Sequence, residues 1–392
     1  MHLWNSSVKD RSTSLALHVL SFAFFAMGTA SLSVVGALES ISTSMQLSRS
    51  AVAMLVPAFA VTFAICAPAI QIFVGHWPRR RLLLSGLIVL ALGAAGCALA
   101  ANYTTLIAAR VLTGIGAAAV SPMVSALGSS IVPPARQGHA LAVVFAGMTL
   151  ASIIGVPFAS WCAAIMGWRW MFASIALLAV IAAIGILLLV KDPSHGQKVR
   201  LAHFQQLLLN RSTALGLSVT MLGIAALFTT YTMITPILRV RFSATPQAIS
   251  LALLIYGLAG LAGNFVARHL ATKWTSQRSV QTALGMLITG FMMLYVAPPW
   301  FGFALIVLIP WAVAVDVFAP AQQRRMVETV PEMRGLVLAL NSTALFVGIS
   351  VGAMLAGMVT AHWGLMALPL VSIGLALLAM LSSHCSNMPR KS

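Results

Sequence analysis

The chain has 392 residues, of which 60% belong to the apolar set and only 7% are charged, against about 45–50% and about a quarter in soluble domains. With a mean hydropathy of +0.98 it cannot clothe itself in polar surface, which excludes an ordinary soluble enzyme and makes lipid its main solvent. A net charge of +17 would point to nucleic acid in a soluble protein; here the positive residues fall in short gaps between apolar runs, as in a protein that meets anionic headgroups, so the expected partner is the bilayer and not nucleic acid.

A helix that crosses about 30 Å of hydrocarbon needs roughly 20 apolar residues. Runs of that length predict twelve spans, at 14–37, 50–74, 82–101, 103–129, 140–165, 168–190, 213–237, 247–267, 280–297, 300–321, 335–358 and 364–383. The first 13 residues are polar and the run after them is long enough to span, so a membrane helix is expected there and not a cleaved signal. Of the 23 Lys and Arg, alternate loops place Arg49, Arg169, Arg239 and Arg241 on one face and Arg110 inside a span, leaving 18 on the face that carries both termini. That asymmetry predicts cytoplasmic termini.

The longest polar interval, 191–212, divides the spans six and six. A gapless shift of 197 residues superposes Trp77 on Trp274, Arg81 on Arg278, Pro134 on Pro331, Gly138 on Gly335, Gly155 on Gly352 and Gly167 on Gly364. The expected fold is therefore an all-α membrane protein of two pseudo-symmetric six-helix bundles, 1–190 and 213–392, joined by a cytoplasmic linker, 191–212. Parallel repeats of this kind build alternating-access carriers that hold a small-molecule substrate between the halves.

Charged residues inside spans carry the next step, because each costs several kcal/mol unless it faces water or a partner. Arg110, in LIAARVLTGIGAAA, lies about two turns, roughly 10 Å, below the outer surface; a cavity role and a bond to backbone carbonyls are both open. Asp316 alone among the six acids lies within a span. It is the best titratable carrier for a proton, with a structural pair to Arg324 as the alternative. Arg110 and Asp316 together are expected to be the charged pair of the cavity. In FAGMTLASIIGVPFASW, Gly147 and Gly155 allow close helix approach and Pro157 permits bending, as rocking bundles require. Arg79, Arg80 and Arg81 cluster on the cytoplasmic side, and Glu332, just before span 11, sits where the helix dipole favours a negative charge. Glu332 is thereby a candidate partner of that cluster in a gate. His18 is a second possible proton site.

No Walker loop, HExxH, CxxC or GxSxG occurs, and the His and Cys residues lack metal-ligand spacing. Neither a metal site nor a cofactor is expected. Cys66, Cys97 and Cys162 read as small apolar fillers.

Taken together, these stretches resemble the major facilitator superfamily, and more narrowly its bacterial 12-helix drug:proton antiporter branch. The resemblance implies a monomer in the bacterial inner membrane that exports a drug-like solute, sugar or nucleobase in exchange for protons, driven by the proton gradient. It implies proton coupling by Arg110, an antiport signature in span 5, and a cavity lined by spans 1, 4, 7 and 10. Candidate cargo contacts are then Phe25, Ser31, Met148, Tyr231, Tyr256, Trp311 and Asn341. Two departures stand out: Gly75 replaces the family's gate Asp in APAIQIFVGHWPRRRLLL, where Gln71 also replaces a Gly, and Ser31 stands near where many relatives carry an acid. These favour the alternative of an importer or uncoupled facilitator. A membrane sensor or embedded enzyme is a distant alternative, since the chain has neither an output domain nor a polar catalytic cluster.

Overall fold

The structure is a computed structural model that describes residues 2–133, 136–190 and 201–386, with side chains described at 13–133, 136–137, 139–190, 205–333 and 336–386. In lipid every backbone polar group must be satisfied within its own segment, so a chain this apolar folds as helices. Among the described residues twelve helices are long and apolar enough to cross a membrane. They are span 1 (Thr13–Met45), span 2 (Arg49–Phe73), span 3 (Arg79–Leu99), span 4 (Tyr103–Ser130), span 5 (His139–Ile165) and span 6 (Trp168–Leu189) in one bundle. The other holds span 7 (Arg211–Arg241), span 8 (Pro246–Lys273), span 9 (Ser276–Val296), span 10 (Phe301–Thr329), span 11 (Leu336–Trp363) and span 12 (Leu365–Cys385). Twelve crossings bring the two ends of the described chain to one face, called here the terminus face.

Helices start where a side chain can supply the acceptors that the free N–H groups of the first turn lack. Asn102 and Thr105 form a reciprocal capping box at span 4, and Ser48, Asn210, Thr245 and Thr275 cap spans 2, 7, 8 and 9. Span 1 continues to Met45, past its predicted end at 37, because helical hydrogen bonding tolerates the polar residues at which the apolar run stops. Span 7 breaks between Tyr231 and Ile234. There the Thr232 hydroxyl donates to the Phe228 carbonyl at 2.6 Å, the local competition that hydroxyl side chains offer a helix.

The repeat has a structural basis at Gly167 and Gly364. Both adopt positive φ, 93° and 79°, at the turn that leads into the last span of each bundle, a conformation that glycine alone adopts without a steric penalty. The pair Gly155 and Gly352 marks equivalent crossings: a Cβ at 155 would meet Thr29 Oγ1 of span 1 at 2.4 Å, and one at 352 would meet the Ala225 carbonyl of span 7 at 2.5 Å. Pro134 and Asp192 lie outside the described residues, as do Lys191, Lys198, Arg200, Arg390 and Lys391 and the side chains of Lys9, Asp10, Arg11 and Arg334.

Of the predicted linker, 191–200 lies outside the described residues, while Leu201–Leu209 is a short helix. Its Leu207 is buried against Leu217, Met326, Val337 and Leu340, so this part of the linker docks on the second bundle.

The bundles meet on the side away from the termini. Thr235 Oγ1 donates to the Val35 carbonyl at 3.1 Å, Ser250 Oγ to Ser160 Oγ at 3.1 Å, and Arg239 approaches Glu39 at 3.7 Å. Arg49 holds the same Glu39 through both carboxylate oxygens, at 2.7 and 3.3 Å. Two other arginines of that face are staples within their own bundles: Arg169 donates to the Ala100 carbonyl and Arg241 to those of Tyr295 and Ala297.

Candidate functional site: a cavity between the bundles

Below that closed end lies a cavity of about 320 Å³, within the roughly 300–1,000 Å³ of small-molecule sites. Both bundles build it. Span 1 contributes Phe24, Met27 and Ser31; span 5 Phe145, Met148 and Ser152; span 7 Phe228 and Tyr231; span 8 Tyr256, Gly257 and Gly260; span 10 Asp316 and Gln323; span 11 Ser342 and Phe346. A second cavity of about 330 Å³ shares Ser121, Phe145, Gln323 and Ser342 with it and runs on past Gln71, Ser125 and Thr343, so the hollow extends toward the terminus face. The wall is rich in aromatic rings and carries the thioethers of Met27 and Met148, with hydroxyls and amides along the vestibule.

Asp316 is the one charged side chain among the described residues that line the central cavity. Three features seat it. Gly260 and Gly263 of span 8 leave a notch: a Cβ at 260 would fall 2.3 Å from Asp316 Oδ2, and one at 263 would fall 3.0 Å from Asp316 Cβ and 2.9 Å from the Val313 backbone. Asn264 Nδ2, one turn further along span 8, donates to Asp316 Oδ1 at 2.8 Å. Pro320, four residues on, has no N–H for the Asp316 carbonyl, which relaxes span 10 at that turn. Arg324 is not its partner. That guanidinium binds Glu328 at 2.7 Å and the Ala271 carbonyl at 2.8 Å, because four residues along a helix place Arg324 and Glu328 side by side.

The expected pairing of Asp316 with Arg110 is corrected too. Arg110 is completely buried in the first bundle and is absent from the cavity wall. It donates to the Ala30 carbonyl at 2.9 Å and to the Leu55 carbonyl at 3.3 Å, with its guanidinium 4.8 Å from the Phe59 ring centre. It thus ties span 4 to spans 1 and 2 by bonds to backbone.

Among the proposed cargo contacts, Ser31, Met148, Tyr231 and Tyr256 line the cavity, whereas Phe25, Trp311 and Asn341 do not. Phe25 stacks on Phe22 at 6.0 Å, and its neighbour Phe24 takes the cavity position. Tyr231 and Tyr256 stack at 5.2 Å; Trp311 stands edge-on behind both, at 6.3 and 6.0 Å, as the second layer of the wall. Asn341 accepts from Thr220 Oγ1 at 2.6 Å, and Gln322 donates to the same hydroxyl at 3.1 Å and to the Gly216 carbonyl at 2.7 Å. This buried network joins spans 7, 10 and 11 within one bundle.

The gating candidates divide likewise. A Cβ at Gly147 would lie 1.9 Å from the Ser21 carbonyl, so Gly147, like Gly155, seats span 5 on span 1 within the first bundle. Pro157 follows a π-helical turn, Ala151–Gly155, a widening common at functional sites. At that turn Ile153 meets Gly257 of span 8 across the bundle interface, the backbone lying 2.5 Å from where a Cβ at 257 would stand. Arg79 and Arg80 are half-buried at the start of span 3 and Arg81 is exposed; Arg80 donates to the Leu187 carbonyl of its own bundle. Glu332 is exposed and belongs to none of the ion pairs among the described residues, so in this conformation it does not bridge to the arginine cluster.

Sequence reasoning missed Phe24, Gly257, Gly260 and Asn264 as site residues and the Glu39–Arg239 contact between bundles. A readable signal existed for Asn264, an amide inside an apolar run, and for Glu39, an acid on a face otherwise populated by arginines. Among the described residues no group of His, Cys, Asp and Glu is arranged to hold a metal ion.

The chain matches the family model described as Major Facilitator Superfamily over residues 19–312 and 216–385. It is 31% identical over 371 residues to "Inner membrane transport protein YdhP" of Escherichia coli (strain K12), covering 93% of this chain and 94% of that one. Its fold superposes on a point mutant of the nucleoside transporter NupG with a TM-score of 0.80 at 14% identity, over 96% and 100% of the two chains. It superposes on a bacterial homolog of the human lysosomal transporter Spinster, in an inward-facing and unoccupied conformation, with a TM-score of 0.76 at 16% identity, over 96% of each.

Proposed function

The chain belongs to the major facilitator superfamily, and from that premise we propose that it exports a small organic or amphiphilic solute across the bacterial inner membrane in exchange for protons. The family works without a cofactor, and the proton gradient supplies the energy. The observation that carries this reading is Asp316: one carboxyl group on the wall of an aromatic cavity between two bundles. It alternates between a protonated and an ionised form as the bundles rock, so that solute and proton occupy the site in turn. With the termini in the cytoplasm, as the charge asymmetry of the loops indicates, this conformation opens inward and is closed outward by Thr235, Ser250 and Glu39. The protein works as a monomer, since the cavity is complete within one chain. Drug-like compounds, sugars and nucleobases are the solute classes to screen.

The test is transport in proteoliposomes under an imposed pH gradient. Asp316→Asn abolishes gradient-driven accumulation while solute binding survives; unchanged coupling would remove Asp316 from the mechanism. A second reading, an importer or uncoupled facilitator, is favoured by Gly75 and Ser31, neither of which supplies a carboxylate. It predicts that addition of solute moves no protons against the solute flux.

A further inference from the structure

Asp316 lies between two cavities. The central one reaches it from the bundle interface. On the far side of span 10 a separate, partly open pocket of about 190 Å³ is lined by spans 8, 9 and 10 of the second bundle alone. Span 10 is the septum: Asp316 and Gln323 face the central cavity, whereas Val317, Pro320 and Arg324 face the side pocket. The pocket has room for several waters, and Arg268, Arg324, Ser276 and Ser279 give it polar walls. Its residues sit at the terminus-face ends of spans 8 and 9 and in the matching half of span 10. Asn264 also lines it, and the same amide donates to Asp316 Oδ1 at 2.8 Å.

We propose that Asn264 is the seal between Asp316 and this side pocket: its amide caps the carboxyl on that side, so that protons reach Asp316 through the central cavity and not through the second bundle. The need for a seal follows from alternating access. Rocking of the bundles turns the central cavity from one face to the other, but a pocket within one bundle keeps its orientation. When the central cavity faces away from the termini, an unsealed Asp316 would touch water on both faces and pass protons without solute. The ionisable groups around the carboxyl are Tyr231 and Tyr256 in the cavity and Arg268, Arg324 and Glu328 on the pocket side. The two arginines repel protons and so oppose the leak, but Arg324 is already engaged by Glu328.

The inference rests on Asp316 as the proton carrier and needs no knowledge of the solute. Purified protein is reconstituted with an internal pH dye, and dissipation of an imposed gradient is followed with no solute present. Asn264→Ala is expected to dissipate the gradient several-fold faster than wild type, Asn264→Leu to stay tight because it refills the gap, and Asn264→Ala with Asp316→Asn to be tight again. A gradient held by Asn264→Ala as well as by wild type overturns the seal, and so does a leak that persists in the double variant. If Asn264→Ala does not fold, Asn264→Ser shortens the same side chain and is read in the same assay. Asp316→Asn alone separates the two claims: unchanged coupling sinks the proton-carrier reading, whereas coupling lost beside a tight Asn264→Ala sinks only the seal.

Discussion

Gly260 and Asp316 fit each other as notch and side chain, since a methyl group at 260 would stand 2.3 Å from the carboxylate oxygen Oδ2. The carboxyl would have to rotate away, and its 2.8 Å bond from Asn264 would break with it. Gly260→Ala is therefore expected to leave the fold intact and to impair proton coupling more than solute binding. Gradient-driven uptake compared with equilibrium binding in the same preparation measures this; equal loss of both would mean that the notch serves packing.

At the closed end Glu39 is held by Arg49 of its own bundle and approached by Arg239 of the other at 3.7 Å. Arg239 is half exposed, and such pairs contribute about 0.2–1 kcal/mol, a shift of at most about fivefold in the inward-to-outward ratio. Glu39→Gln should increase by that factor the outside labelling of a cysteine placed at Ser31 on the cavity wall, measured in a Cys385→Ser background. Unchanged labelling would assign the closure to the hydroxyl contacts and apolar packing.

Arg110 in this geometry is a tie between spans. Its two backbone bonds each contribute about 1.5–3 kcal/mol as hydrogen bonds to a charged group, and lysine cannot reproduce the fork. Arg110→Lys is expected to lower the thermal midpoint in detergent by several degrees while the surviving protein keeps its ratio of protons to solute. A lost ratio at an unchanged midpoint would return the guanidinium to the proton pathway.

Two glycines separate packing from composition. A Cβ at Gly147 would overlap the Ser21 carbonyl, whereas one at Gly374 meets nothing within 4 Å. Gly147→Ala should cost at least the upper end of the about 1–3 kcal/mol of an overpacked core. Gly374→Ala, at an open helical position, should stabilise by about 0.5–1 kcal/mol. Thermal unfolding of the two variants in one detergent checks both signs.

Twelve spans, a twofold repeat and one acid at membrane depth in Asp316 are legible before any helix packs, because hydropathy, loop charge and span length are local quantities that a bilayer reads one segment at a time. Which way each span turns emerges when the helices pack. Lipid tails are as apolar as leucine, so an all-round apolar helix carries little record of its inner face. A rotation of one residue exchanges Phe25 for Phe24 at the cavity, and the same uncertainty sent Trp311 and Asn341 to the wall in prediction and behind it in fact. Arg110 illustrates the other limit: depth in the membrane is legible, but whether a buried guanidinium meets a cavity or two carbonyls depends on how helices 55 and 80 residues away in the chain pack against it.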